Sequence, residues 1–209
     1  MKIKWSFILL TFLTVFISFF LIKLLHINQL LNLSLTNTLK SDDLEKYLNL
    51  REKWAFVSYL LIPVIILIKL VLISSILNIS MFMFSEKKIK FKQLFHIIIK
   101  AEFIFLLVPI FKIIWFYFFK TNYTLEDIQF FYPLSALSIV GYKGLEPWLI
   151  YPFQVINLFE LAYWLLLAYF IGKITETNMD HGLKIVSSSY GSALLLWVVV
   201  IMFFTLNYS

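Results

Sequence analysis

The sequence predicts an all-α fold, a polytopic membrane helix bundle of about five transmembrane helices in one domain covering residues 1–209. Two observations carry this. Hydrophobic residues make up 61% of the chain and charged residues 14%, whereas a soluble domain needs roughly a quarter of its residues charged to cover its surface. The apolar residues also fall into blocks of about 20 or more, long enough to cross a hydrocarbon layer roughly 30 Å thick. The mean hydropathy of +0.88 and the 23 Phe and 11 Tyr fit lipid-facing and interfacial surfaces.

The first expected span runs from Ser6 to Leu25, with Lys23 near its far end, where a long stem carries the ammonium to the headgroups. A basic start before an apolar run also describes a signal peptide. Here the run continues to Leu25 without a small-residue cleavage site, so a retained span is expected. In the loop 26–53, Asp42 and Glu45 resemble a capping box. Leu44, Tyr47, Leu48 and Arg51 then recur at 3–4 spacing, which predicts a short amphipathic helix on the outer surface. Span two starts at Trp54 and reaches Ile79 or Phe84, with Pro63 as an expected kink. A tight basic loop leads to span three, Gln93 to Phe119, which carries Lys100, Glu102, Pro109 and Lys112. In the loop 120–146, the apolar stretch 128–140 is too short to span and is expected to be re-entrant or surface-lying, closed by Gly141 and Gly144. Span four runs from Trp148 to Ile171 with Gly172 as a stop, then a polar loop 173–184 leads to span five, Ile185 to Leu206. Ser187–Ser189, Gly191, Ser192 and Ala193 give span five a small-residue start that permits close helix packing.

Loop charge sets the expected orientation. With the N-terminus inside, the inner segments are 1–5 with two Lys, 86–92 with four Lys against one Glu, and the neutral 173–184. The outer loops balance basic against acidic residues or are slightly acidic, so the positive-inside tendency gives N-terminus inside and C-terminus outside. The basic cluster Lys87, Lys88, Lys90 and Lys92 reads as this topology signal, with contact to anionic lipid or a partner as the alternative.

Charged groups inside spans are costly and normally face the bundle interior. Lys69 and Glu160 lie near the centres of spans two and four, and Glu102 is slightly to the inner side on span three. Lys69 is therefore at a depth to pair with Glu160, Glu102 or both, and Lys69 with Glu160 is the sharpest expectation. Gln154, Asn157 and Glu160 recur every three residues, which on a continuous helix makes one polar stripe. Lys69, Glu102, Gln154, Asn157 and Glu160 form the candidate intramembrane polar cluster. It has three readings: buried ion pairs that fix helix neighbours, a polar site for a proton or solute, or a docking surface for another membrane subunit.

Other chemistries are poorly represented. There is no cysteine, which excludes thiolate ligands, cysteine nucleophiles and disulfides. His26, His96 and His181 are scattered, no phosphate loop or nucleophile elbow occurs, and neither a metal nor a cofactor is expected. Of the 18 basic residues only Arg51 is Arg, unlike a nucleic-acid-binding face.

The stretch YPLSALSIVGYKGLEPWLIYPFQVINLFELAYWLLLAYFI, residues 132–171, places a Pro-containing turn before a span with a polar and an acidic residue among aromatics. This pattern, with the five-span layout, resembles bacterial Yip1-domain membrane proteins. By that resemblance Pro147, Asn157 and Glu160 are the family-like positions. It implies a membrane scaffold or assembly factor that handles lipid or a partner protein. The missing catalytic signatures, interfacial aromatics and small-residue start of span five add the expectation of a noncatalytic protein that packs with membrane partners or a second copy of itself. The chain departs from the pattern in having charges in three successive spans and no long cytoplasmic N-terminal region, unlike trafficking members that recruit small GTPases. Its Lys-, Ile-, Asn- and Phe-rich usage points to the cytoplasmic (inner) membrane of a bacterium. The competing expectation is a small transporter or channel-like component using the polar cluster.

Overall fold

A computed structural model describes residues 3–36, 40–84 and 89–208. These residues are all-helical, without a strand. Four helical stretches are long and apolar enough to cross a membrane: Ile3–Leu24, Lys53–Met83, Leu158–Thr175 and Met179–Tyr208.

Helix α1 (Ile3–Leu24) is followed by α2 (Ile27–Thr36), with His26 at φ 48° making the corner between them. Helix α3 (Ser41–Phe84) has 44 residues and is about 66 Å long at the α-helical rise. It absorbs the expected amphipathic surface helix, so the 41–51 segment and span two are one element, unbroken at Pro63. The polar start of α3 is anchored: Arg51 donates to Asn32 at 3.3 Å and to Asn28, clamping α3 onto α2. The Asp42 side chain of the expected capping box lies outside the described residues.

The segment expected as span three is helical but is not one continuous α-helix, and it is not among the four long apolar stretches. It comprises α4 (Phe91–Glu102), a 3₁₀ turn over Phe103–Leu106, α5 (Leu107–Ile114) and a π turn over Trp115–Phe119. Pro109 accounts for the first change of pitch, because it has no N–H for the carbonyl four residues back at Phe105 and its ring crowds that turn. Two short helices follow, α6 (Leu125–Phe130) and α7 (Ala136–Val140), and Gly141 and Gly144 turn the chain at φ 84° and 80°.

Span four is split into α8 (Pro147–Val155) and α9 (Leu158–Thr175). Gly172 does not stop it. Helix α9 runs on to Thr175 and ends at Glu176 in the left-handed region. The expected polar loop 173–184 shrinks to a short turn, and most of it becomes α10 (Met179–Val186), capped by Asn178 on the His181 amide. A π turn over Ser187–Gly191 joins α10 to α11 (Ser192–Tyr208).

The main core lies between α3, α4, α9 and α10, around Leu70, Leu77, Leu94, Ile98, Leu167, Ile171 and Val186, all fully buried. Two glycines set its spacing. A Cβ on Gly182 would strike the Ala168 carbonyl, and one on Gly191 would lie 2.5 Å from the Trp164 ring. Close packing at the start of span five involves Gly182, Gly191 and buried Ser189, while Ser187, Ser188 and Ser192 are exposed. A smaller cluster of Leu25, Phe116 and Ile128 holds the far end of α1 against the π turn and α6.

Candidate functional site

Three departures from α-helical geometry border one polar cluster: the 3₁₀ turn after Glu102, the break before α9, and the π turn between α10 and α11. Irregular backbone within an apolar bundle needs its polar groups satisfied by protein, and such turns recur at functional sites.

Lys69 lies midway along the apolar part of α3. Its ammonium donates to Glu102 Oε1 at 2.5 Å and sits 4.3 Å from the centre of the Phe105 ring. The expected Lys69–Glu160 pair is not formed. Glu160 is instead held by uncharged donors, with Tyr190 Oη at 2.7 Å and Trp164 Nε1 at 2.9 Å both donating to Oε1. Position along a span does not specify the direction in which a side chain leaves its helix.

Tyr163 stands between the two halves of the cluster. It is fully buried, with its ring 5.0 Å from Phe105 and 5.4 Å from Tyr190. Its hydroxyl and the second Glu102 oxygen are both buried without a hydrogen bond of normal geometry among the described residues. An unsatisfied buried polar atom costs about 1–3 kcal/mol, more for a charged group. The two partners of the ion pair are unequal: Glu102 is buried, whereas the Lys69 side chain is 41% exposed.

Gln154 and Asn157 do not extend a stripe from Glu160, since the helix breaks between them. Asn157 is the N-cap of α9. Its Oδ1 accepts from the Glu160 amide at 2.8 Å, and its side-chain amide donates to the carbonyls of Gln154 and Val155 at 2.9 and 3.0 Å. Gln154 points to the Phe130 carbonyl at 3.5 Å. The loop ahead of α7 completes the break, with Leu158 N donating to Leu134 O at 3.1 Å and Ala136 N donating to Ile156 O at 2.9 Å. The stretch 128–140 therefore forms two short helical pieces around a backbone clamp on span four.

Trp164 and Tyr190 are members of the cluster that sequence reasoning missed, whereas Tyr163 is expected beside the polar residues of span four. The available signal was their position three to four residues from Glu160, or on the small-residue turn of the last span. In the basic cluster, Lys90 and Lys92 are exposed, while Lys87 and Lys88 lie outside the described residues.

A second ionic group lies in the loop between spans three and four. Asp127 accepts from Lys120 at 2.7 Å, from the Thr124 amide at 3.0 Å, and from the hydroxyls of Thr124 and Tyr142 at 3.1 Å each. Burial pushes its carboxyl upward, but Lys120, Thr124 and Tyr142 together hold it well below the usual carboxylate range. Burial and then the bond to Asp127 push the Tyr142 phenol up.

No protein-family model matches the chain, and no curated protein or solved structure is significantly similar to it.

Proposed function

We propose that this chain is a noncatalytic membrane scaffold or assembly protein that associates laterally, through the α3 face carrying Lys69, with a membrane partner or a second copy of itself. The observation that carries this reading is the Lys69 side chain, 41% exposed although its ammonium is paired with Glu102, in the middle of the 31-residue apolar stretch of α3. Only 22% of the most apolar window of that stretch is buried within the chain, and Ile65, Ile68 and Leu72 beside Lys69 are exposed. A charged pair left partly open to lipid tails is costly, and contact of its exposed side with another protein surface lowers that cost. In this reading the interrupted segment 91–119 is a fifth crossing, and the positive-inside tendency puts the N-terminus inside and the C-terminus outside. The Yip1-like pattern at 132–171 and the residue usage support a scaffold of a bacterial cytoplasmic membrane.

The chain has no cysteine, so single cysteines report contacts cleanly. Cysteines at exposed Ile65 or Leu72 are expected to crosslink in native membranes, and one at fully buried Leu70 is not. A chain that stays monomeric in lipid, with no adduct from either exposed position, would refute lateral association.

One observation favours a second reading, a small transporter: the three helix irregularities gathered around Glu102, Glu160 and Tyr163. Interrupted helices at a polar centre are a common way to build a solute or ion path. Solute- or proton-driven flux in vesicles that Glu102→Gln abolishes would establish it.

A further inference from the structure

We propose that the chain holds one anionic phospholipid along α1, with an acyl chain between α1 and α5 and the phosphate at Lys23 and His26. The tail site is a groove of about 230 Å³ between Phe16, Ile17 and Phe20 of α1 and Ile110, Ile113 and Ile114 of α5. Every lining side chain is apolar, so in a membrane hydrocarbon is the occupant this surface favours.

Helical register extends the site. Phe16, Phe20 and Lys23 are four and three residues apart, so they share one face of α1 and the groove leads towards an ammonium. Lys23 is exposed and makes no ion pair among the described residues. Just beyond it, a second cavity of about 500 Å³ opens at Leu25 and His26, facing Thr121, Asn122 and Tyr123. Its wall offers imidazole, hydroxyl and amide groups, the donors a phosphodiester accepts from. The T-shaped contact of Tyr123 with buried Phe116, 5.0 Å between ring centres, keeps that wall in place.

The groove and the cavity therefore follow each other along α1 in the order that a phospholipid presents its tail and its headgroup. Charge selects among phospholipids. Asp127 on adjoining α6 is already engaged by Lys120, which leaves Lys23 to favour a lipid of net negative charge over a zwitterionic one. The proposal needs the membrane setting but not association through Lys69, so each fails on its own measurement: lipid retained by the single chain here, crosslinks there.

Native mass spectrometry of the full chain, released from nanodiscs with equal phosphatidylglycerol and phosphatidylcholine, tests it. One phosphatidylglycerol is expected to stay on each chain in preference to phosphatidylcholine. Ile113→Trp, which fills the groove, is expected to lose both lipids. Lys23→Gln, at an exposed position, is expected to lower the preference for phosphatidylglycerol about fivefold, the worth of one basic residue at an anionic surface. Equal retention of the two lipids by the unaltered chain, or undiminished retention by Ile113→Trp, overturns the proposal. Should Ile113→Trp not fold, Lys23→Glu decides alone: an unchanged preference overturns it and a lost one supports it.

Discussion

Lys69 and Glu102 meet at 2.5 Å, tying the longest helix of the chain to the residue at which α4 gives way to a 3₁₀ turn. Glu102 has one oxygen on Lys69 and the other buried without a hydrogen bond of normal geometry. Glu102→Leu leaves an ammonium without its counter-charge and is expected to cost about 3 kcal/mol or less, the low end for breaking a buried pair, because Lys69 is half exposed. Combining it with Lys69→Met should recover most of that loss. Unfolding free energies of the single and double variants in bicelles check the cycle, and additive losses would refute the coupling.

Asn157→Ala removes the cap of α9 and the two bonds that its amide gives to the end of α8. A loss of about 1–2 kcal/mol is expected, the upper range for a cap. Gln154→Ala, whose side chain makes a long 3.5 Å bond among the described residues, is expected to lie within about 0.5 kcal/mol of the parent. Comparing melting temperatures of the two variants distinguishes a cap from a stripe.

Gly182→Ala forces α9 and α10 apart, because the new methyl meets backbone at Ala168. About 1–3 kcal/mol of overpacking is expected. Gly191→Ala meets only the Trp164 ring and should cost less, but it should also disturb the Trp164 bond to Glu160. Thermal unfolding ranks the two, and tryptophan fluorescence should change in Gly191→Ala alone.

Acid should loosen the loop around Asp127. Its folded carboxyl titrates below the unfolded value, so its stabilising contribution is complete above about pH 4 and fades as pH falls through the folded value. Hydrogen exchange of residues 120–142 is expected to speed up as pH falls below about 4, after correction for intrinsic rates. Asp127→Asn should remove that dependence, and a variant with the parent's profile would sink the assignment.

The positions of apolar blocks made four of the spans legible in the sequence, and loop glycines marked the turns at Gly141 and Gly144. That Lys69 could pair with Glu102 was legible in the sequence. Which acid Lys69 chooses was not, because that depends on the rotation of each helix about its axis. The Gln154–Asn157–Glu160 spacing misled because equal spacing implies a stripe only on an unbroken helix. The same residues held the correcting signal: Asn157 followed three residues later by Glu160 has the form of a helix start. Pro109 likewise marked the change of pitch in span three, whereas Pro63 sits in a helix that runs on through it.

The backbone clamp on span four has a consequence for how the chain is assembled. Residues 134–136 leave the ribosome before Ile156–Leu158, so the splint is finished before the fracture it sets. As the break between α8 and α9 emerges, its exposed amide and carbonyl find partners already in place and need not wait for a later segment. A circular permutant in which residues 147–209 are made first would insert the fracture bare, and it is at that step that its insertion should falter.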